Sequence, residues 1–150
     1  MFDTLLHKYL RIPYGLHVHS MRKTAKPRAT VMLLHGIGAA GSTWDEVVKG
    51  LPKDINVIAV DLLGFGVSPR PVWATYDAKT QARSVIATLL SHNIPQRVIL
   101  VGHSMGALVA VEVAKRYPIL VKSLVLCSPP FYDDIQKSTL LPKRDQALKK

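Results

Sequence analysis

Gly102-His103-Ser104-Met105-Gly106 sets a serine midway between two glycines, each two residues away. A serine hydroxyl is a poor nucleophile until a base takes its proton. An acyl group under attack also needs donors where its carbonyl oxygen becomes an oxyanion. A serine at the tip of a sharp strand-to-helix turn meets the geometric part of this requirement. Such a turn strains the serine backbone. The flanking chain runs so close to strand and helix that only glycine fits at both outer positions. The hydroxyl then stands above the strand's carboxyl end, with the next helix's N-terminus aimed at it. The spacing predicts nucleophilic acyl transfer by Ser104. The plain alternative is a helix N-cap serine.

The flanking sequence supplies the elements such a turn needs. Val98 to Val101 are apolar and mostly β-branched, and they read as a buried strand. Ala107, Leu108, Val109, Ala110, Val111, Val113 and Ala114 carry an apolar helix that stops near Pro118. Upstream, Thr30 to Leu34 is a continuous apolar run, suited to a strand covered on both faces. His35-Gly36-Ile37-Gly38 follows at its carboxyl end. Thr43-x-x-Glu46 has capping-box spacing and predicts a helix to about Gly50. Ile55 to Val60 is the next strand, followed by the Gly-rich turn Asp61-Leu-Leu-Gly64-Phe-Gly66-Val-Ser68 and a long loop through Trp73. Asp77 is placed to cap a helix with Ala78, Ala82, Val85, Ile86, Leu89 and Leu90 on its apolar face. Val121 to Leu126 is a further strand.

From residue 30 the order is therefore β-α-β-α-β-α-β. It predicts an α/β fold: a mostly parallel, doubly wound sheet with helices on both faces. Ligands in such sheets bind at the strands' carboxyl ends, where His35–Gly38, Asp61–Ser68, Ser104 and Pro129–Asp134 all fall. Two weaker elements precede this core. Residues 3–10 read as a short helix capped by Asp3, with Leu5, Leu6, Tyr9 and Leu10 on one face. Residues 15–20 alternate as an outer strand, which puts His17 and His19 on one face. A metal pair there lacks an evident third ligand, and a solvated strand face is the reading adopted. One domain part spans 1–134, and 135–150 begin a cap or a basic tail.

The chain carries 20 Lys and Arg against 10 Asp and Glu, a net charge of +10. Nucleic-acid or membrane-surface binding is the first thought. However, Lys137, Lys143, Arg144, Lys149 and Lys150 sit in the tail, and Arg22, Lys23, Lys26 and Arg28 sit in what reads as a loop. Neither cluster is interleaved with aromatics. Solvated segments are the expectation, with no nucleic-acid partner. Cys127 is the only cysteine, so no intrachain disulfide forms, and it reads as a buried strand residue. No stretch reaches the ~18 apolar residues of a membrane span, and residues 1–13 lack the apolar run of a signal peptide. A cytoplasmic protein with no membrane partner is expected.

Three blocks in order, HGIG after one strand, DLLGFGVS after the next and GHSMGA at the turn, resemble the N-terminal half of the α/β-hydrolase fold superfamily. The blend is most similar to small intracellular esterases, C–C bond hydrolases and cofactor-free haloperoxidase-like members. The resemblance implies a serine hydrolase acting on an ester, thioester or related acyl bond of a small molecule, with no cofactor or metal. By it Ser104 is the nucleophile, and the Ile37 and Met105 N–H groups form the oxyanion hole. His35, Gly36, Gly38 and His103 line the site. Asp61, Gly64 and Gly66 match a turn that is mostly structural.

The pattern also departs from that superfamily. Its chain order is serine, acid, histidine, yet no histidine follows His103. The match ends after the sixth strand of the fold, which leaves Val121 to Leu126 as an apolar edge. A truncated part of a longer polypeptide, or a split gene product, is expected. His103 adjoins the serine and should point away from it, in a packing role. His35 is nearer, but the superfamily uses that position to shape the oxyanion loop. Asp133 and Asp134 stand where a minority of members place the acid. The rival function is a non-catalytic fragment or pseudo-enzyme. Proton-transfer or C–C cleavage chemistry on the same fold is a third reading.

Overall fold

The apolar runs form strands whose alternate side chains enter two separate cores, one on each face of a single sheet. In this computed structural model residues 5–94 and 97–130 are described. The strands are β1 (Val18–Arg22), β2 (Ala29–Leu34), β3 (Ile55–Val60), β4 (Val98–His103) and β5 (Val121–Cys127). Their spatial order is β1-β3-β2-β4-β5. Only β1 is antiparallel, against β3, and the remaining pairs are parallel. Helices α2 (Ala78–Ser91) and α3 (Met105–Arg116) pack on each other and cover one face. There Met32, Leu34, Ile58, Val60 and Leu100 meet Val85, Leu89, Val109 and Val113. The other face sets Val31, Leu33, Val57 and Ala59 against Trp44, which leads into the short helix α1 (Asp45–Gly50). Each aliphatic side chain fully buried in these layers stabilises by about 1.5–3 kcal/mol.

Several expectations shift in detail. Residues 5–9 form a single π turn with no buried residue, so its apolar side chains do not face the core; Asp3 lies outside the described residues. The Thr43-x-x-Glu46 box does not form. Gly41–Trp44 is a 3₁₀ turn, α1 has no side-chain cap, and Glu46 binds Lys49 instead. Leu90, expected on the buried face of α2, is 61% exposed. Conversely, Gln81, Ser84 and Thr88 of the same helix are buried. Gln81 accepts from Leu63 N–H and donates to Leu63 O, at 2.9 and 2.8 Å. Thr88 Oγ1 accepts from Leu16 N–H at 2.8 Å and donates to Ser84 O. Polar spacing of three and four residues was the signal for this face.

β1 begins at Val18, because the N–H groups of Leu16 and His17 go to side-chain oxygens of Thr88 and Ser68. A register shift between Val18 and Ser20 then interrupts the face expected to carry both histidines. His19 Nε2 bonds Asp45 Oδ1 at 2.9 Å. Arg22 closes β1 and donates to the carbonyls of Val48, Leu51, Pro52 and Ile55, which ties down the end of α1. Lys23 donates to His92 O and Arg28 pairs with Asp54. Residues 23–28 are the exposed loop expected, and Arg22 alone of these cations belongs to a strand.

Two buried side chains join the loops at the carboxyl end of the sheet. Asp61 is 2% exposed, yet Gly41 N–H donates to its Oδ1 at 2.6 Å and Val67 N–H to its Oδ2 at 2.8 Å. Burial pushes its carboxyl up, but those two donors, with His17 and His35 nearby, outweigh burial and hold it below the ordinary carboxylate value. His35 is fully buried. Leu62 N–H donates to its Nε2 at 2.9 Å, so Nδ1 carries the proton and donates to Gly36 O at 2.7 Å. Burial lowers its pKa, against the pull of Gly36 O and Asp61, and the ring is neutral. Gly66 fits against this carboxylate only because it lacks a side chain: a Cβ would stand 2.1 Å from Asp61 Oδ2, and its φ is +50°.

Two predictions follow from this junction. Both shifts are downward, so the unfolded chain binds more protons than the folded chain on acidification, and stability falls with pH. The urea midpoint should drop first below about pH 6.5, as unfolded-state histidine charges while His35 resists, and again below about 3.8, through Asp61. A midpoint that is flat from pH 7 to 5 would contradict the neutral buried ring. Gly66→Ala should lose about 2 kcal/mol or more, from overpacking and positive-φ strain. Gly15→Ala, with nothing within 4 Å of its Cβ, should stay near wild type in the same urea titration.

Candidate active site

β4 runs apolar through Val101 and gives way to glycine where the chain must turn. Ser104 occupies the turn with φ +50° and ψ −117°, directly before the first residue of α3. A serine avoids this region, at a cost of about 1–3 kcal/mol, unless its surroundings enforce it. Two hydrogen bonds and two close backbone approaches enforce it. Ser104 N–H donates to Cys127 O at 2.9 Å, and Ser104 O accepts from Ala107 N–H at 2.9 Å. A Cβ on Gly102 would lie 2.3 Å from Gly106 O, and one on Gly106 would lie 2.3 Å from Leu34 O. Both glycines are therefore required for α3 to sit this close to β4 and β2. No N-cap bond runs from the Ser104 side chain, so the plain cap reading fails.

The loop after β2 comes against this turn. A Cβ on Gly36 would stand 3.2 Å from Ser104 Cβ and 3.0 Å from His103 Nδ1. Gly36 O accepts from Ala39 N–H at 3.3 Å, closing a β-turn with Ile37 and Gly38 at its centre. Gly38 has φ +72°, as a type II turn demands at that position. The Ile37 side chain is 74% exposed, so the residue is placed by its backbone. The Met105 N–H is the first of α3 and has no acceptor within the helix. Ser104, Met105, His103 and Gly36–Gly38 thus share one end of the sheet. His35 lies beneath them.

The two histidines beside the serine differ. Both ring nitrogens of His35 are engaged, with Gly36 O and Leu62 N–H, so it has no lone pair to take a serine proton. His103 is exposed at the sheet end, with its Nδ1 3.0 Å from where a Cβ on Gly36 would stand. No described residue hydrogen-bonds Ser104 Oγ. Cys127 is half-buried, because β5 is an edge strand, and the strand's Val125 and Leu126 are 46% and 40% exposed. Asp133, Asp134 and the stretch 135–150 lie outside the described residues. Among the described residues no group of three or more His, Cys, Asp or Glu side chains could hold a metal ion. No helix among them is long and apolar enough to cross a membrane.

Comparison with known proteins agrees with this geometry. A curated relative, the "Probable lysophospholipase BODYGUARD 5" of Arabidopsis thaliana, is 31% identical over 83% of this chain and 30% of its own length. An uncharacterized protein of Mycobacterium tuberculosis is 40% identical over 74% of this chain and 33% of its own. The chain thus spans about a third of the length of the curated relatives it matches. Among solved structures, a membrane phospholipase A described as a bacterial virulence factor superposes with a TM-score of 0.73 at 31% identity, over 97% of this chain and 51% of that one. A marine microorganism esterase gives 0.71 at 23% identity, a likeness of fold, over 90% of this chain and 48% of that one. The family profile described as alpha/beta hydrolase fold matches residues 29–147. With its strand order, its glycine-bounded serine turn and this match together, the chain belongs to the alpha/beta hydrolase fold family.

Proposed function

We propose that the protein is a serine hydrolase cleaving a carboxylic ester, thioester or related acyl bond of a small molecule, with Ser104 as nucleophile. Relatives that are hydrolases, lysophospholipase and esterase among them, support the class. The observation that carries the assignment is the Ser104 backbone, held at φ +50° with the Gly36 turn against its Cβ. Strain of this kind persists only where surrounding structure enforces it, and it frees the hydroxyl from helix capping.

In the proposed reaction, Ser104 Oγ attacks the acyl carbon while a base accepts its proton. The carbonyl π electrons move onto oxygen, and the N–H groups of Met105 and Ile37 donate to that oxyanion. The tetrahedral intermediate collapses, and the alcohol or thiol leaves with the proton the base returns. Water then attacks the acyl-enzyme along the same route, regenerating the serine. His35 keeps Gly36 O turned toward its own Nδ1–H, and by this contact it fixes the turn that presents Ile37. It is a positioning residue. The base and its acid are proposed to come from outside the described residues, since His35 is fully engaged and no described side chain reaches Ser104 Oγ. The names of the relatives make a lysophospholipid the first ester to test. With a single cysteine, a reducing cytoplasmic compartment suits the chain.

Ser104→Ala, in a polypeptide carrying the base, should lower kcat/KM for a p-nitrophenyl ester by about 10⁴-fold or more, with an unchanged urea midpoint. Turnover retained by that variant would overturn the assignment. Gly36→Ala should lower kcat/KM by about 10²-fold, the usual loss of one oxyanion donor, because its Cβ pushes the turn off Ser104. A Gly36→Ala enzyme at wild-type rate would remove the turn from the mechanism.

A further inference from the structure

The N-terminal segment, the loop before α2 and the first turns of α2 enclose a cavity of about 460 Å³. It shares no lining residue with the serine site. Its inner wall is apolar. Tyr14 and Leu63 are buried there, and the Trp73 ring lies 6.0 Å from that of Tyr14. Its rim is cationic. Lys8, Arg11, Lys79 and Arg83 all line it. Among the described residues the one carboxylate lining it is Asp77, which accepts from Thr80 N–H at 2.7 Å and from Thr75 Oγ1 at 3.0 Å.

Four cations against one carboxylate give this opening a positive field that favours an anion. Two further features strengthen the field. The first turn of α2 holds no acidic residue beyond the Asp77 cap, and Lys79 sits in it, so this end of the helix adds to the positive field. Arg83 Nη2 donates to Arg11 O at 2.7 Å, which fixes a guanidinium at the mouth. The backbone is also strained on both sides: Arg11 and Tyr76 each have φ +54°.

We infer that this cavity is a binding site for an amphipathic anion, an apolar chain or ring ended by a phosphate or carboxylate. The apolar part lies along Tyr14, Leu63 and Trp73. The anionic group meets Lys8, Arg11, Lys79 and Arg83 at the rim. The site is separate from the proposed hydrolytic reaction, and its occupancy does not depend on Ser104.

The sequence contains two tryptophans, so Trp44→Phe leaves Trp73 as the sole indole reporter. Trp44 Nε1 is buried without a hydrogen-bond partner among the described residues, which suits it to this replacement. Octyl phosphate and octanoate should shift Trp73 fluorescence saturably, and 1-octanol and inorganic phosphate should each bind at least tenfold more weakly. Lys8→Gln/Lys79→Gln, both exposed positions, should weaken octyl phosphate at least tenfold. Equilibrium dialysis of labelled octyl phosphate against the unsubstituted chain gives the same constants without the tryptophan change. Equal binding of 1-octanol would remove the cationic half of the inference. Equal binding of inorganic phosphate would remove the apolar half. No saturable binding by dialysis, or no effect of the double lysine change, would overturn it.

Discussion

The contact on which the site depends is between backbones. Helix α3 approaches β4 and β2 so closely that the carbonyls of Gly106 and Leu34 fill the space where side chains at 102 and 106 would begin. That approach leaves one residue between strand and helix to absorb the whole change of direction. Ser104 absorbs it at a positive φ. The cost, of the order of 1–3 kcal/mol, is offset by burial of Ala107, Val109, Ala110 and Val113 against the sheet. Packing therefore holds the strain, and the strain holds the hydroxyl.

A second layer of organisation is polar. Asp61 and His35 lie beneath the carboxyl-end loops, and each satisfies backbone groups from segments distant in sequence. Gln81 and Thr88 do the same from α2. A buried polar group left unpaired costs more than a made hydrogen bond returns, so these side chains specify one arrangement of the loops. The electrostatics agree with that role. The carboxylate is held charged and the imidazole neutral, and the polar atoms of both are occupied by backbone groups.

Much of this was legible in the residues. The runs at 30–34 and 55–60 are apolar enough to demand cover on both faces and became inner parallel strands, and 121–126 became the apolar edge strand beside them. Gly102 and Gly106 announced the close approach, and Asp77 announced the start of α2. The misreadings share one cause. Thr43, Leu90 and the apolar residues of 5–10 were read from local pattern, and tertiary contacts decided otherwise. Arg22 looked like loop charge because its four carbonyl partners are not adjacent in sequence. The His17–His19 face was lost to a bulge that alternation does not encode. Gln81, Ser84 and Thr88 are polar, so an apolar pattern does not mark them, although their spacing traces one helical face. The proposed roles of Ile37 and Met105 use main-chain N–H groups, which no side-chain pattern can name, and they rest on the resemblance.

Among the described residues β5 is an edge strand and no side chain hydrogen-bonds Ser104 Oγ, and the proposed base and acid are sought outside them. The most direct test of the account is the site of modification by a fluorophosphonate, which reports an activated serine and no other state. In a polypeptide that continues past residue 150 and supplies a histidine, peptide mapping by mass spectrometry should find the adduct on Ser104. Labelling of a different serine, or unchanged labelling after Ser104→Ala, would contradict the claim that this strained turn presents the nucleophile.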